Sequence, residues 1–253
     1  MSNWLHISPT TGRGSTQMTI SADTNDTPNI RKAKIIVTAG TLSKTIEVVQ
    51  YPTDGEITCT YKVTAGQFQL VYQDWGLSRV VVYADNGNSL SYSGNNIDVA
   101  RDYATLLGVQ EGDIITAQFY TLNHAIYKSI FFGGISNIPV KTISFGDSIV
   151  GISGGSGTGY AEVPMIGGLP ELETIHFGYN MFNNFYDSGW SFTNTIVSDC
   201  PKLSAFTGDN AFVQDSRTLS KDGKLVGVAL YGIEEYVVPS NITGISHYCF
   251  SSS

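Results

Sequence analysis

A short apolar strand pattern recurs in the second half of the chain at intervals of about 31 residues, a period that signals stacked repeats. It appears in Val140-Lys-Thr-Ile-Ser-Phe145, Leu172-Glu-Thr-Ile-His-Phe177, Leu203-Ser-Ala-Phe-Thr207 and Glu235-Tyr-Val-Val-Pro239. A fixed period of this length constrains a fold strongly, because one unit is too short to bury its own apolar side and must stack on its neighbours. The lead-ins repeat as well: Leu169-Pro-Glu-Leu172 and Cys200-Pro-Lys-Leu203 share a proline and two apolar residues at matching positions. Residues 139–253 are therefore expected to form a solenoid.

The rest of the chain carries strand signals of a different kind. Charged residues make up 14% of the chain, against roughly 25% in an ordinary soluble domain, while 42% are hydrophobic. Gly, Ser, Thr, Asn and Tyr take the place of the missing charge, a mixture that suits short strands joined by turns. The expected fold is all-β in the main. Residues 1–53 contain Trp4-Leu-His-Ile-Ser8, Gln17-Met-Thr-Ile-Ser-Ala22, Lys34-Ile-Ile-Val-Thr38 and Lys44-Thr-Ile-Glu-Val-Val-Gln50, with turn clusters between them. Alternating strands so arranged predict part of an antiparallel β-sandwich. Residues 54–138 predict a small β-rich module, with strands over Ile57–Val63, Arg79–Tyr83, Ser89–Tyr92, Gly112–Tyr120 and Tyr127–Phe132. An Asn86-Gly87 turn marks a hairpin within it, and Val99–Val109 is the one helical stretch, ended by Gly108.

Two resemblances follow from these residues. Trp4-Leu-x-Ile-Ser, a Gly-containing turn, an alternating strand, Asn29-x-Arg31-x-Ala33-x-Ile35, a second Gly turn and a strand closing on Val49-Gln50 resemble the second half of a BACON domain. That family is an immunoglobulin-like sandwich found in gut Bacteroidetes and their phages, for which carbohydrate binding or a spacer role has been proposed. The strands that precede the Trp-Leu motif in the family are absent here. At the other end, the Asp222-Gly223 hairpin, the strand ending in Pro239, the Asn241-Ile-Thr-Gly-Ile-Ser246 turn and His247-Tyr-Cys-Phe250 are similar to BspA-type leucine-rich repeats. Ser246 stands where that family has Gly, and Cys249 where it has Ala.

Several chemistries find little support in the sequence. A formal net charge of −8 with no Lys/Arg cluster argues against a nucleic-acid partner. No apolar run is long enough for membrane insertion by a helix. Cys59, Cys200 and Cys249 are an odd number of scattered thiols without metal-like spacing, best read as small buried hydrophobes. His6, His124, His176 and His247 fall in no ligand pattern, so neither a metal nor another cofactor is expected. Gly151-Ile-Ser-Gly-Gly-Ser-Gly-Thr-Gly159 lacks the Lys-Ser/Thr of a phosphate loop and the spacing of a nucleophile elbow. Glycosidase carboxylates are identified only by their separation in space, and the acidic residues here fall mostly in turns. No catalytic residue is expected.

The resemblances instead imply a non-enzymatic structural or adhesion protein. Met1 to Pro9 lacks the basic start and apolar core of a secretory signal. A virion appendage of a phage of gut Bacteroidetes, such as a tail or head fibre component, fits that start. The alternative is an extracellular adhesin on a bacterial cell surface. Expected partners are other virion or surface proteins, in a homo- or hetero-oligomer, and a host-surface glycan. An incomplete sandwich and an uncapped repeat array each expose an edge that a second chain can cover, which points to Trp4, Ile7, Tyr248 and Phe250 as assembly contacts.

Residues 178–192 pack six aromatics between amides and are the candidate ligand loop, with Tyr179, Asn183, Tyr186, Asp187 and Trp190 as its contacts. Aromatic faces stack on sugar C–H groups, and Asn and Asp pair with hydroxyls. Two arrangements are open, since the same rings can fold back over the solenoid core. If the loop binds glycan, Trp190→Ala and Tyr186→Ala will weaken binding on a glycan array and leave the melting temperature unchanged. A loss of about 3 kcal/mol of stability would instead place the rings in the core.

Overall fold

The computed structural model describes residues 3–23, 25, 31–50, 55–71, 77–93, 97, 99–121, 125–127, 131–132, 138–149, 151–153, 166–181, 196–246 and 249–250. The chain forms two units, Met1–Asp54 and Gly55–Ser253. Strands dominate both.

The first unit is built from two antiparallel ribbons. β1 (Leu5–Ser8) pairs with β2 (Thr19–Ala22), Leu5 opposite Ala22 and Ser8 opposite Thr19. β3 (Arg31–Ala39) pairs with β4 (Leu42–Gln50) along its whole length, across a turn in which Gly40 has φ 60°. Side chains alternate across a strand, so Ala33 and Ile35 share a face with their partners Val48 and Ile46. That face packs with Trp4, Leu5 and Ile7 into one small core. All four strands lie where the apolar alternation places them.

The second unit holds the remaining elements. These are β5 (Gly55–Lys62), β6 (Leu77–Ala84), β7 (Ser89–Ser93), α1 (Tyr103–Leu107), β8 (Ile114–Thr121), β9 (Ala125–Tyr127) and β10 (Phe131–Phe132). They continue with β11 (Val140–Phe145), β12 (Gly151–Ser153), β13 (Ile166–Gly167), β14 (Thr174–His176), β15 (Val197–Ser198) and β16 (Ala205–Thr207). β17 (Val213–Asp215), β18 (Thr218–Lys221), β19 (Lys224–Val228) and β20 (Gly244–Ile245) complete the chain.

The periodic strands stack in parallel, each one repeat beyond the last. Thr142 lies opposite Thr174, and Thr174 opposite Ala205. A second parallel row, β10-β13-β15, sets Ile166 opposite Val197, again one repeat on. Inside the stack the rings of Phe145, Phe177 and Phe206 follow one another, with centroids 5.8 and 6.2 Å apart. The middle segment is not a separate layer. β5 pairs antiparallel with β8 on one edge and with β11 on the other, giving one seven-stranded sheet ordered β16-β14-β11-β5-β8-β6-β7. A single core of buried residues runs from Ile57 to Ala229, across the boundary expected near residue 138.

Three sequence expectations need correction. The helix spans only Tyr103–Leu107, because the backbone of Arg101 is already committed to Phe68 through two hydrogen bonds of 3.0 Å. Asp102 then caps it, accepting from the Thr105 amide, and Gly108 closes it at φ 63°. The two described ends of Tyr127–Phe132 pair in different sheets, Tyr127 in β9 with β12 and Phe131–Phe132 in β10 with β13. Glu235–Pro239 forms no strand, although it keeps the repeat's spacing. The place beside β16 is taken instead by Ser216, whose carbonyl accepts the Phe206 amide at 2.8 Å, and Val237 is left 75% exposed.

Successive coils approach so closely that the corner after each strand requires glycine. A Cβ on Gly178 would overlap the Gly146 carbonyl, and one on Gly208, where φ is 110°, would overlap that of Phe177. Gly178→Ala is therefore expected to cost about 1–3 kcal/mol in urea unfolding of the full chain. Gly244→Ala, which meets only the flexible stem of Lys224, should stay within about 0.5 kcal/mol. Equal effects would mean that the coils can spread.

Candidate functional site

Alternation along the seven-stranded sheet divides its side chains into two sets. Ile57, Cys59, Tyr61, Ile115, Ala117, Phe119, Val80 and Val82 point into the core. The intervening residues form a second face in which cross-strand register aligns side chains into rows. One row runs Thr174–Thr142–Thr60–Thr116–Tyr83. The next runs Thr207–His176–Ser144–Thr58–Gln118–Val81. A third sets Glu56 beside Tyr120 and Arg79. Seven strands at ordinary spacing make this face roughly 29 Å wide.

The face is mostly neutral, made of hydroxyls, an amide and aromatic rings. Thr60 and Thr142 share a hydrogen bond of 2.7 Å between their hydroxyls, and His176 Nδ1 lies 3.1 Å from the Thr207 hydroxyl. Glu56 accepts from Gln118 Nε2 at 3.1 Å and from the Thr58 hydroxyl at 3.0 Å. The Arg79 guanidinium sits 4.2 Å from the Tyr120 ring centre, a cation–π arrangement that orients both groups. At the margin, Lys141 pairs with Glu173 and Lys202 with Glu171. The Lys202 hydrogen bond holds the Glu171 carboxyl below its ordinary range. Such a surface offers many weak hydrogen bonds and ring contacts to a polar ligand. Its signal in the sequence is the run of Thr, Gln and Tyr at the polar positions of Ile57–Tyr61 and Ile114–Tyr120, a pattern that by itself marks strands and not a site.

The expected site residues fall in several places. Tyr179 is 60% exposed at the turn after β14, where its amide donates to Asp147 Oδ1 at 2.8 Å. Asn183, Tyr186, Asp187 and Trp190 lie outside the described residues, as does Tyr248. Trp4, expected at an assembly contact, is 9% exposed and packs inside its own unit, with Ile7 partly buried beside it. Phe250 is 37% exposed and meets Tyr236 edge-on at 6.0 Å.

Residues 2–51 match the BACON family, described as "Putative binding domain, N-terminal". The match lies wholly within the first unit. No curated protein and no solved structure matches the chain.

The thiols bear on chemistry directly. Cys59 lies within β5 with no exposed surface, and burial pushes its thiol far above the usual range. Burial also pushes Cys200 and Cys249 up to about 12. The thiolate is the nucleophile, so the raised values keep these groups protonated and weakly nucleophilic near neutral pH. The folded state keeps these protons to higher pH than the unfolded chain. The stability they contribute is whole below the ordinary thiol value and is lost as pH climbs from there toward 12. A thiol reagent at pH 8 should therefore label Cys200 and Cys249 about a thousandfold more slowly in the native chain than in urea. The unfolding midpoint should also fall once pH exceeds about 9. Mass spectrometry of labelling over time checks the first, and equal rates would place the thiols at the surface.

Proposed function

We propose that this chain is a non-enzymatic adhesion-type protein that binds through the broad outer face of its seven-stranded sheet. The observation that carries the reading is the unbroken pairing from β16 to β7, which joins repeat strands and middle-segment strands into one surface of aligned hydroxyl and aromatic side chains. Rigid strands hold such groups in fixed rows, so many contacts form at little ordering cost. The N-terminal match to a family described as a binding domain supports the same class. The repeats are read as BspA-type leucine-rich repeats, on the parallel stacking of successive coils and the residues of the Asp222-Gly223 hairpin.

The more specific reading is a virion appendage of a phage of gut Bacteroidetes, acting in assembly or host-surface recognition. Its rival is a secreted bacterial adhesin with the same modules. Capsid and tail genes beside this one would favour the first, and glycan-utilisation genes the second.

The full chain should be retained on host surface glycans or surface proteins without turning them over. Arg79→Ala with Tyr120→Ala should weaken retention about tenfold while changing stability by no more than about 0.5 kcal/mol, as expected for surface positions. Release of sugar or peptide products that one Asp or Glu substitution abolishes would overturn the reading.

A further inference from the structure

Two successive coils treat one corner differently. Ile166-Gly-Gly-Leu-Pro170 and Val197-Ser-Asp-Cys-Pro201 align, with Ile166 opposite Val197 and Gly167 opposite Ser198. The next residue is left-handed in both, at φ 65° for Gly168 and 54° for Asp199. Glycine adopts that backbone without hindrance, whereas an aspartate brings its Cβ against the following carbonyl oxygen. Among the described residues the chain has one other non-glycine there, Asp222 at φ 50°, and it belongs to the Asp-Gly turn that the β18–β19 hairpin requires. No hairpin accounts for Asp199. A strained aspartate kept where the preceding coil uses glycine points to a role for its side chain.

Asp199 lines a half-open cavity of about 240 Å³. Its carboxylate is exposed and has no ion-pair or hydrogen-bond partner among the described residues. Tyr231 and Phe250, 55% and 37% exposed, also line the cavity, above a floor that includes Leu203, Val228, Cys200 and Cys249. The Tyr231 backbone is held at both ends: its amide donates to the Leu203 carbonyl at 3.0 Å, and its own carbonyl accepts from Arg217 Nη1 at 2.8 Å. Two aromatic rings, one unpaired carboxylate and an apolar floor fit a long aliphatic stem that ends in a cation. Charge favours the same ligand, since residues 55–253 carry nine Lys/Arg against eighteen Asp/Glu. A pyranose would call for several converging donors and acceptors.

We propose that this cavity seats a lysine or arginine side chain of a partner protein, its cation paired with Asp199 and flanked by Tyr231 and Phe250. The cavity is separate from the sheet face, so either assignment can fail without the other.

The test follows the backbone amide signals of Tyr231 and Gly232 in the full chain by NMR. The probes are N-acetyl-lysine methylamide and N-acetyl-arginine methylamide, with glucose and N-acetylglucosamine as neutral comparisons. The cationic amides should give saturable shifts that weaken with added salt. Asp199→Asn and Asp199→Gly should each lower the affinity at least about tenfold. Asp199→Gly should also hold or raise the melting temperature, because glycine relieves the corner. Saturation by the sugars and not by the cations, cation binding untouched by Asp199→Gly, or no saturation by any probe would overturn the proposal. A fall in melting temperature with Asp199→Gly would make the aspartate structural and overturn it equally.

Discussion

Hydrogen bonding on both edges of β5 is the constraint on which the larger unit depends. A stack of parallel coils ends in a strand with a free row of amides and carbonyls, which invites further pairing. β11 is the first of the periodic strands, and its open edge is closed by β5 running antiparallel to it. The opposite edge of β5 carries β8, and through β8 the hairpin of β6 and β7. One strand thus lets a parallel array and an antiparallel meander share a sheet, and their apolar sides merge into one core. Burial of Ile57, Cys59 and Tyr61 with no exposed surface follows from that central position.

Closure by β5 has a consequence on the other side of the sheet. Strand side chains alternate, so every residue that secures the core is followed by one that faces outward. The register that brings Ile143 beside Cys59 also brings Thr142 beside Thr60 and Ser144 beside Thr58. Core packing and the rows on the outer face are therefore set by one register, and a slip of one residue would exchange them. Stacking distance places a second demand on the coils. Gly146, Gly178 and Gly208 stand where backbones approach within reach of a missing Cβ. Asp199 is the counter-case, a side chain retained at a corner whose backbone favours glycine.

Much of this was legible in the residues. Period-2 alternation located the four strands of the first unit, Asn86-Gly87 and Asp222-Gly223 located their hairpins, and the recurring interval of the apolar strands located the parallel stack. Other features were not. Thr60 and Thr142 meet across 82 residues, and nothing in either segment names its partner. Glu235–Pro239 carries the repeat's pattern but forms no strand, because pairing also requires a free edge and Ser216 occupies the one beside β16. Residues 178–192 stand out by their density of aromatics, yet a ring's role depends on what surrounds it. Of Tyr179, Asn183, Tyr186, Asp187 and Trp190, only Tyr179 falls among the described residues.

By itself, then, the sequence determined the local alphabet: most strand positions, turn chemistry, the repeat period, and the division of those strands into apolar and polar sides. These depend on neighbours within a few residues or on one recurring interval, so short-range sterics and burial suffice to specify them. Tertiary structure alone decided which edges meet, and with them the seven-stranded face, the glycine corners and the cavity beside Asp199. Those arise where backbones distant in the chain compete for the same hydrogen bonds and the same space, and that competition is resolved only when the whole unit has folded.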